Sequence, residues 1–283
     1  MSNWQKRSRD CRGSTPPILR HKGYDQPSVF VPENLLREAR RQKAIPDGGV
    51  PGICALDPDG DIVRSLLAED KARLNPSWAC YHTRLYNLEH DGIPFGIIGF
   101  AVGASFAVLV AEELFASGCQ LLISVASSGL ILPKAKPPFF LLIERALRDE
   151  GTSYHYLPPS DYASITERLL TVLDGAFSEL RVPAYRGATW TTDAPFRETS
   201  LAIEHAGSEG IVAVEMEAAA LYAFARARRK PVVCFAHVTN RLGNVEGDFE
   251  KGEGGGSRDA WQVIAATARA WLSRETSTPE TRP

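Results

Sequence analysis

The sequence contains little cysteine and little methionine, and neither sign of charge is in clear excess. Its 283 residues include five cysteines, two methionines, 32 Lys+Arg and 34 Asp+Glu. Five scattered cysteines exclude a disulfide scaffold and predict reduced thiols in a cytoplasmic protein. A net charge of −2 argues against a protein whose whole surface binds nucleic acid, so we expect no nucleic-acid partner.

Metal-site and membrane patterns are also missing. The six histidines show neither HxH nor HExxH spacing, so we expect no metal. Residues 93–111 carry no charge over 19 residues, close to the length of a membrane span. They include one proline and three glycines, and the pattern then continues into a charged helix. We interpret this segment as a buried strand, a turn and a helix, and we expect no membrane partner.

The ends of the chain differ in composition from its middle. Residues 1–24 hold six basic residues and one acid, which predicts a flexible basic N-terminal arm. Residues 273–283 are polar and rich in threonine and proline, which predicts a frayed tail. Nothing between them resembles a linker, so residues 25–272 are predicted to form one domain.

Apolar runs alternate with helical patterns along that domain. The runs predict buried strands over residues 52–56, 95–100, 121–128, 181–192 and 231–239. Helices are predicted over residues 33–43, 62–72, 104–118, 139–149, 164–180 and 258–272, and residues 211–229 begin as a strand and become a helix. This alternation is typical of an α/β fold, a single domain with a mixed, mostly parallel central sheet flanked by helices.

Ligands in such folds bind at the carboxyl ends of the strands. Two blocks there carry chemistry. GFAVGAS (99–105) places small residues where a strand becomes a helix, so its backbone N–H groups either face a ligand or only allow tight packing. VEMEAAALYAFA (214–225) places two carboxylates at another strand end. Buried carboxylates need partners, and paired acceptors suit sugar hydroxyls, although acids also favour helix N-termini.

The order of these blocks with VASSG (125–129), TWTTDAPFRET (189–199) and HVTN (237–240) resembles the family of nucleoside phosphorylases and nucleosidases over residues 50–272. The resemblance implies cleavage of the N-glycosidic bond of a nucleoside by phosphate or water. It also implies a homo-oligomer, either a dimer or a hexamer of dimers. No cofactor is implied, and phosphate is the expected co-substrate.

The resemblance implies roles for four residues at the sugar and phosphate. Glu217 matches the acid that binds the ribose hydroxyls, and Met216 matches the residue that packs beside the ribose. Glu215 belongs to the same substrate-binding motif. Ser127 matches a hydroxyl that contacts phosphate.

Three further residues are implied at the base. Asn240 matches the catalytic Asp or Asn that hydrogen-bonds the base as it leaves. As an amide it donates and accepts but delivers no proton, which favours a 6-oxopurine over adenine. Trp190 and Phe196 are candidate stacking rings for the base, with core aromatics as the alternative interpretation.

The sequence departs from the family where phosphate is held. The family pattern GDPxR after the first strand is reduced here to Asp57 and Pro58 with no arginine. Ser124 stands where phosphorylases carry a second arginine, and Tyr81 lies near the position of a third. A phosphate site normally supplies such cations. Phosphate binding would therefore need a replacement, for which the candidates are Arg64, Arg84 and Arg197.

Three hypotheses remain open at this point. A nucleoside phosphorylase is favoured, because phosphorolysis dominates the resembled family and Ser127 is kept. A nucleosidase that uses water is favoured by the missing arginines. A nucleoside-binding protein with reduced catalysis would keep the sugar site only.

Overall fold

The computed structural model describes residues 15–242, 246, 251 and 253–275. Within these residues the α-helices are α1 Pro32–Lys43, α2 Asp61–Ala68, α3 Ala104–Ala116, α4 Glu167–Val172, α5 Ser200–Ser208, α6 Ala218–Arg228 and α7 Ser257–Glu275. Short 3-10 turns lie at Pro17–Leu19, Ser153–His155, Pro195–Arg197 and Glu253–Gly256. The predicted helices at both ends of the domain are confirmed as α1 and α7.

One sheet of ten strands forms the centre of the described structure. The strands are β1 Ile53–Asp57, β2 Arg73–Leu74, β3 Leu85–His90, β4 Ile93–Gly99, β5 Leu121–Leu130, β6 Phe139–Asp149, β7 Tyr162–Ser164, β8 Ala184–Thr192, β9 Ile211–Glu215 and β10 Val232–Asn240. Their order is β10-β6-β8-β9-β5-β1-β4-β3-β2, and β7 pairs with β6. Because β10 also pairs with β5, five strands close into a ring from which the other strands extend.

Parallel and antiparallel pairings are both present. Strands β4, β1, β5 and β10 run parallel to one another, as do β6, β8 and β9. Antiparallel pairs join β5 to β9, β6 to β10 and the outer strands β2, β3 and β4. The predicted single-domain α/β fold with a mixed sheet and flanking helices is confirmed.

Helix α6 is buried on nearly all sides between the sheet and its neighbours. Residues 218–225 are all buried, as expected for a helix with apolar residues on every face. Tyr222 ties this helix to the sheet: its hydroxyl donates to the Ile143 carbonyl at 2.6 Å and accepts from the Cys234 N–H at 3.1 Å. The helix that begins at the candidate sugar motif is therefore firmly anchored.

Two helix predictions are wrong. Residues 139–149 form strand β6, whose first five residues are buried on both faces of the sheet. A short apolar run of this kind has no period that separates a buried strand from a buried helix. Residues 164–180 contain only the short helix α4, preceded by β7. The chain turns at Gly175, whose φ of +73° ends any regular helix there.

The interpretation of residues 93–111 is confirmed, since they form β4, a turn and the first part of α3. Among the described helices, none combines the length and the apolar character that crossing a bilayer requires. The cysteines that the structure describes are unpaired and buried, and they are Cys54, Cys80, Cys119 and Cys234. Cys11 lies outside the described residues.

The described part of the predicted N-terminal arm lies against the domain. It forms a 3-10 turn at Pro17–Leu19, and Lys22 Nζ lies 2.8 Å from His155 Nδ1. Residues 1–14 and 276–283 lie outside the described residues, so the predictions made for them stay predictions. Residues 273–275 continue helix α7.

Candidate active site

The carboxyl ends of the parallel strands meet at one edge of the sheet. In the register, Asp57 at the end of β1 is paired with Gly99 at the end of β4. Ser127 in β5 is paired with His237 in β10, and Asn240 is paired with Gly129. The blocks that the sequence singled out are therefore brought together, as the rule for open α/β sheets predicts.

Glu217 connects two of these blocks. Its side chain is buried, with 3% exposed, and its Oε1 accepts from the Gly103 N–H at 2.6 Å. Oε2 accepts from the Met216 N–H at 3.3 Å. Burial and the nearby charge of Glu215 raise the pKa of Glu217 to about 8. Hydrogen bonds donated to Glu217 favour its ionised form, so donors such as sugar hydroxyls would lower this pKa and be bound by the carboxylate.

Gly103 has a backbone conformation that supports this contact. Its φ is +92°, a region that residues with a Cβ rarely adopt, and it immediately precedes α3. The turn also contains Phe100 with a φ of +67°, whose ring covers Gly60 beside the end of β1. The turn thus contributes one backbone donor to Glu217, and its Phe100 ring packs on Gly60.

Glu215 accepts four hydrogen bonds from groups within the fold. Its Oε1 accepts from the hydroxyls of Thr189 at 3.1 Å and Thr191 at 2.5 Å. Its Oε2 accepts from the N–H groups of Glu217 and Ala218, both at 2.7 Å. Burial raises the pKa of Glu215, and these four donors oppose the rise. Glu215 therefore caps α6 and fastens it to β8, and the part in substrate binding that the resemblance implies for it stays a prediction.

Asp59 was not among the predicted site residues. Its Oδ2 accepts from the Ser127 N–H at 3.0 Å and also from the Ser127 hydroxyl. The sequence signal for Asp59 is its place in the acid-rich turn DPDGD (57–61), which follows a buried strand. In this structure an internal carboxylate accepts from the Ser127 hydroxyl, which the resemblance assigns to phosphate, and from the Ser127 N–H.

The same turn carries two more aspartates. Asp57 accepts from the N–H groups of Gly60 at 3.1 Å and Val63 at 2.9 Å, which shapes the turn. Burial raises the pKa of Asp57 to about 7. Asp61 lies in the first turn of α2, where burial opposes ionisation but bonds from Lys251 and Arg64 lower its pKa on balance.

Lys251 is the second site residue that the sequence did not reveal. Its Nζ donates to Asp61 Oδ2 at 2.6 Å and lies 3.5 Å from Asp59 Oδ2. Burial alone would lower the pKa of Lys251, but the two aspartates raise it on balance. A position eleven residues beyond β10 gives no sequence signal for contact with the β1 turn.

These groups line a pocket of about 20 Å³ that is open to solvent on one side, called the nucleophile pocket. Its polar lining residues include Asp57, Asp59, Asp61, Ser127, His237 and Lys251. His237 stacks on Phe140 with ring centroids 4.4 Å apart, and burial lowers its pKa to about 4. At neutral pH this imidazole is uncharged, so it adds no positive charge to the pocket.

The residues predicted at the base are placed differently from one another. Trp190 is 5% exposed, packs in a second core cluster and donates to Asp149 Oδ2 at 3.0 Å, so it is a core aromatic in this structure. Phe196 is 99% exposed on a 3-10 turn, so its ring lies in solvent. The structure therefore does not bring the two rings together as a stacking pair.

Asn240 lies at the end of β10, and Met216 directly follows the end of β9. Asn240 is 6% exposed, accepts from the Leu242 N–H at 2.9 Å and donates to the Thr239 hydroxyl at 3.2 Å. Among the residues that the structure describes, nothing accepts from the second amide N–H. Met216 is partly exposed between the two acids of its motif.

The comparisons with known proteins agree with this arrangement. The family model described as the phosphorylase superfamily matches residues 53–270. The chain belongs to the phosphorylase superfamily. The sequence-based assignment to the nucleoside phosphorylase family is thereby confirmed, and the chain is a member of an enzyme family that acts on nucleosides.

Curated relatives within the superfamily are distant. A guanosine phosphorylase of Halorubrum lacusprofundi is 25% identical over 167 residues, which cover 58% of this chain and 69% of the relative. A uridine phosphorylase of Thermococcus kodakarensis is 28% identical over 180 residues, which cover 56% and 64%. The chain thus spans about two thirds of the length of these relatives.

Solved structures of the superfamily show the same fold. The purine nucleoside phosphorylase of Toxoplasma gondii in complex with immucillin-H has a TM-score of 0.67 at 21% identity, covering 80% of this chain and 93% of that one. A uridine phosphorylase of Vibrio fischeri has a TM-score of 0.65 at 21% identity, covering 86% and 95%.

The candidate replacements for the superfamily's phosphate-binding arginines are not free cations in the nucleophile pocket. Arg64 donates to Asp61 Oδ1 at 2.5 Å and to the Asp59 carbonyl at 3.1 Å, and its guanidinium lies 5.1 Å from the Phe100 ring centroid. Arg84 and Arg197 are exposed. Among the described residues that line the pocket, Lys251 is the one with a permanent positive charge.

Proposed function

We propose that this protein cleaves the N-glycosidic bond of a nucleoside with water as the nucleophile, releasing the free base and ribose. The names of its matched relatives support nucleoside chemistry, since they are phosphorylases of guanosine, uridine and purine nucleosides. The observation that supports water is the Asp59 carboxylate, which accepts both donors of Ser127.

The size and charge of the nucleophile pocket also favour water. The pocket volume of about 20 Å³ is enough for a water molecule. Phosphate would have to displace Asp59 and would then face the aspartates of the β1 turn. Each like-charge contact at ~4 Å costs up to ~4 kcal/mol at an effective dielectric constant of ~20, and solvent reduces this cost for a partly exposed group.

The residues of the site fit the steps of such a cleavage. As the glycosidic bond breaks, its electron pair moves to the base nitrogen and positive charge develops on the ribosyl group. Hydrogen bonds from the ribose hydroxyls favour the ionised form of Glu217, and the resulting carboxylate stabilises that charge. The free N–H of Asn240 donates to the base while negative charge grows there. Water then bonds to the anomeric carbon.

Phosphorolysis is the second candidate. It is favoured by the names of the relatives and by the two donors of Ser127, which Lys251 supplements with one cation. It requires Asp59 to leave Ser127 before phosphate binds.

A 6-oxopurine is the proposed base. Asn240 has one N–H left for the acceptors of a purine edge, and its amide cannot protonate a leaving adenine. Inosine or guanosine is therefore the proposed substrate, and homo-oligomeric assembly stays a prediction.

The test is to incubate the purified protein with a panel of nucleosides, with and without phosphate, and to identify the sugar product by chromatography. Ribose formed at the same rate in both buffers supports hydrolysis. Ribose 1-phosphate formed only with phosphate overturns it in favour of phosphorolysis. Nucleoside binding without any turnover would indicate the binding protein instead. As a matched control, Asp59→Ala frees Ser127 and should gain phosphate-dependent product.

A further inference from the structure

Lys251 joins two segments that are far apart in the sequence. It follows β10, whereas both of its acidic partners belong to the turn between β1 and α2. Its side chain is 24% exposed, and its Nζ lies 2.6 Å from Asp61 and 3.5 Å from Asp59. A partly buried lysine between two carboxylates restricts the movement of both.

The contacts of Asp59 leave part of its carboxylate available. The N–H and hydroxyl of Ser127 and the Nζ of Lys251 all contact the same oxygen, Oδ2. A carboxylate has about four acceptor positions, so among the described residues Oδ1 keeps its capacity to accept a proton. The adjoining nucleophile pocket has room for one water molecule.

We propose that Lys251 is a positioning residue: by bridging Asp59 and Asp61 it holds the Asp59 carboxylate where it receives the proton of the attacking water. This inference rests on the proposed hydrolysis. The water oxygen forms a bond to the anomeric carbon, and the glycosidic electron pair leaves with the base. One water proton moves to Asp59, and solvent returns a proton to the base, so the products are ribose and the neutral base.

Several charged groups surround this carboxylate. Asp57 and Asp61 belong to its own turn, and Glu217 approaches from the β9–α6 turn. His237 from β10 also lies near this carboxylate, and Asp259 from α7 lies near His237. Arg64 in α2 binds Asp61 from outside the pocket. Acids outnumber cations here, so removing Lys251 favours protonation of the aspartates.

The first experiment measures kcat/KM against pH for the wild type, Lys251→Met and Lys251→Arg. Lys251→Met should lower kcat/KM at least tenfold because the Asp59 carboxylate is no longer held in place, and the loss should be largest at acid pH, where the missing ammonium no longer favours the ionised carboxylates. Lys251→Arg keeps the positive charge and should restore the pH dependence of kcat/KM seen in the wild type. Asp61→Asn leaves Lys251 paired with Asp59 alone and should extend activity to lower pH than in the wild type. A loss in Lys251→Met that is equal at every pH would show a merely structural role and overturn the proposal.

A second variant tests Asp59 independently. Asp59→Asn should lower kcat about a hundredfold or more, as expected for loss of a general base, and should leave the KM for the nucleoside nearly unchanged. A kcat for Asp59→Asn within tenfold of the wild type contradicts the proposal. Wild-type turnover that depends on phosphate would instead refute the proposed hydrolysis, so the two failures are distinguishable. Thermal unfolding of each variant checks that it is folded.

Discussion

Replacing Glu217 with glutamine separates the catalytic role of the sugar site from its effect on stability. The carboxylate is buried and accepts from the N–H groups of Gly103 and Met216. Glutamine keeps the shape but has no charge and one acceptor oxygen. Hydrogen bonds to a charged group contribute ~1.5–3 kcal/mol each. Losing one such bond to ribose in the transition state should lower kcat/KM at least tenfold, which is ~1.4 kcal/mol.

The same change should stabilise the fold at alkaline pH. The pKa of Glu217 rises from 4.5 to about 8 on folding, so the wild type loses stability as the pH rises through this window. The upper limit of that loss is ~5 kcal/mol at 1.36 kcal/mol for each pKa unit. Glutamine leaves one backbone N–H unpaired, at ~1–3 kcal/mol. Glu217→Gln should therefore be more stable than the wild type by roughly 2 kcal/mol above pH 8.

Two assays check these expectations. Steady-state kinetics with inosine measures kcat/KM, and urea denaturation at pH 5 and pH 9 measures the free energy of unfolding. The stability gain should be present at pH 9 and absent at pH 5. Unchanged kcat/KM would refute the role of Glu217 in the sugar site. Lower stability than the wild type at pH 9 would refute the reasoning from burial and charge.

Three further results are expected. Glu215→Ala removes the acceptor of four donors and should lower the free energy of unfolding in urea by at least ~4 kcal/mol, and a loss below ~1 kcal/mol would contradict its capping role. Wild-type kcat/KM should favour inosine over adenosine and uridine, and Asn240→Asp should move the ratio toward adenosine, whereas a wild-type preference for uridine would exclude this view of the pocket. A bulky thiol reagent should not label Cys54, Cys119 or Cys234 quickly in the native protein, and rapid labelling would show that these thiols are accessible.

Much of the fold was predictable because its strands are continuous apolar runs. β1, β4, β5 and β10 lie where the sequence places them, and the rule for strand ends locates the site. β6 could not be distinguished from a helix, since FFLLI is apolar without a period. Only its pairing with β8 and β10 decides its structure.

The sequence predicts where the site lies in the fold, but not what each of its residues contacts. Glu215 and Glu217 look equivalent in the motif, and alternation along a strand would put them on one face. The chain turns into α6 between them, so one carboxylate caps the helix and the other reaches Gly103. The contact of Lys251 with Asp59 spans 192 positions, and no local pattern encodes it.

The central claim is that the Asp59 carboxylate accepts the Ser127 donors that would otherwise bind phosphate, so that water is the nucleophile. Its most direct test is the initial rate of base release from inosine, measured from zero to saturating phosphate with the wild type. The account predicts a substantial rate without phosphate and no rise as phosphate is added. A rate that starts at zero and rises hyperbolically with phosphate would contradict it.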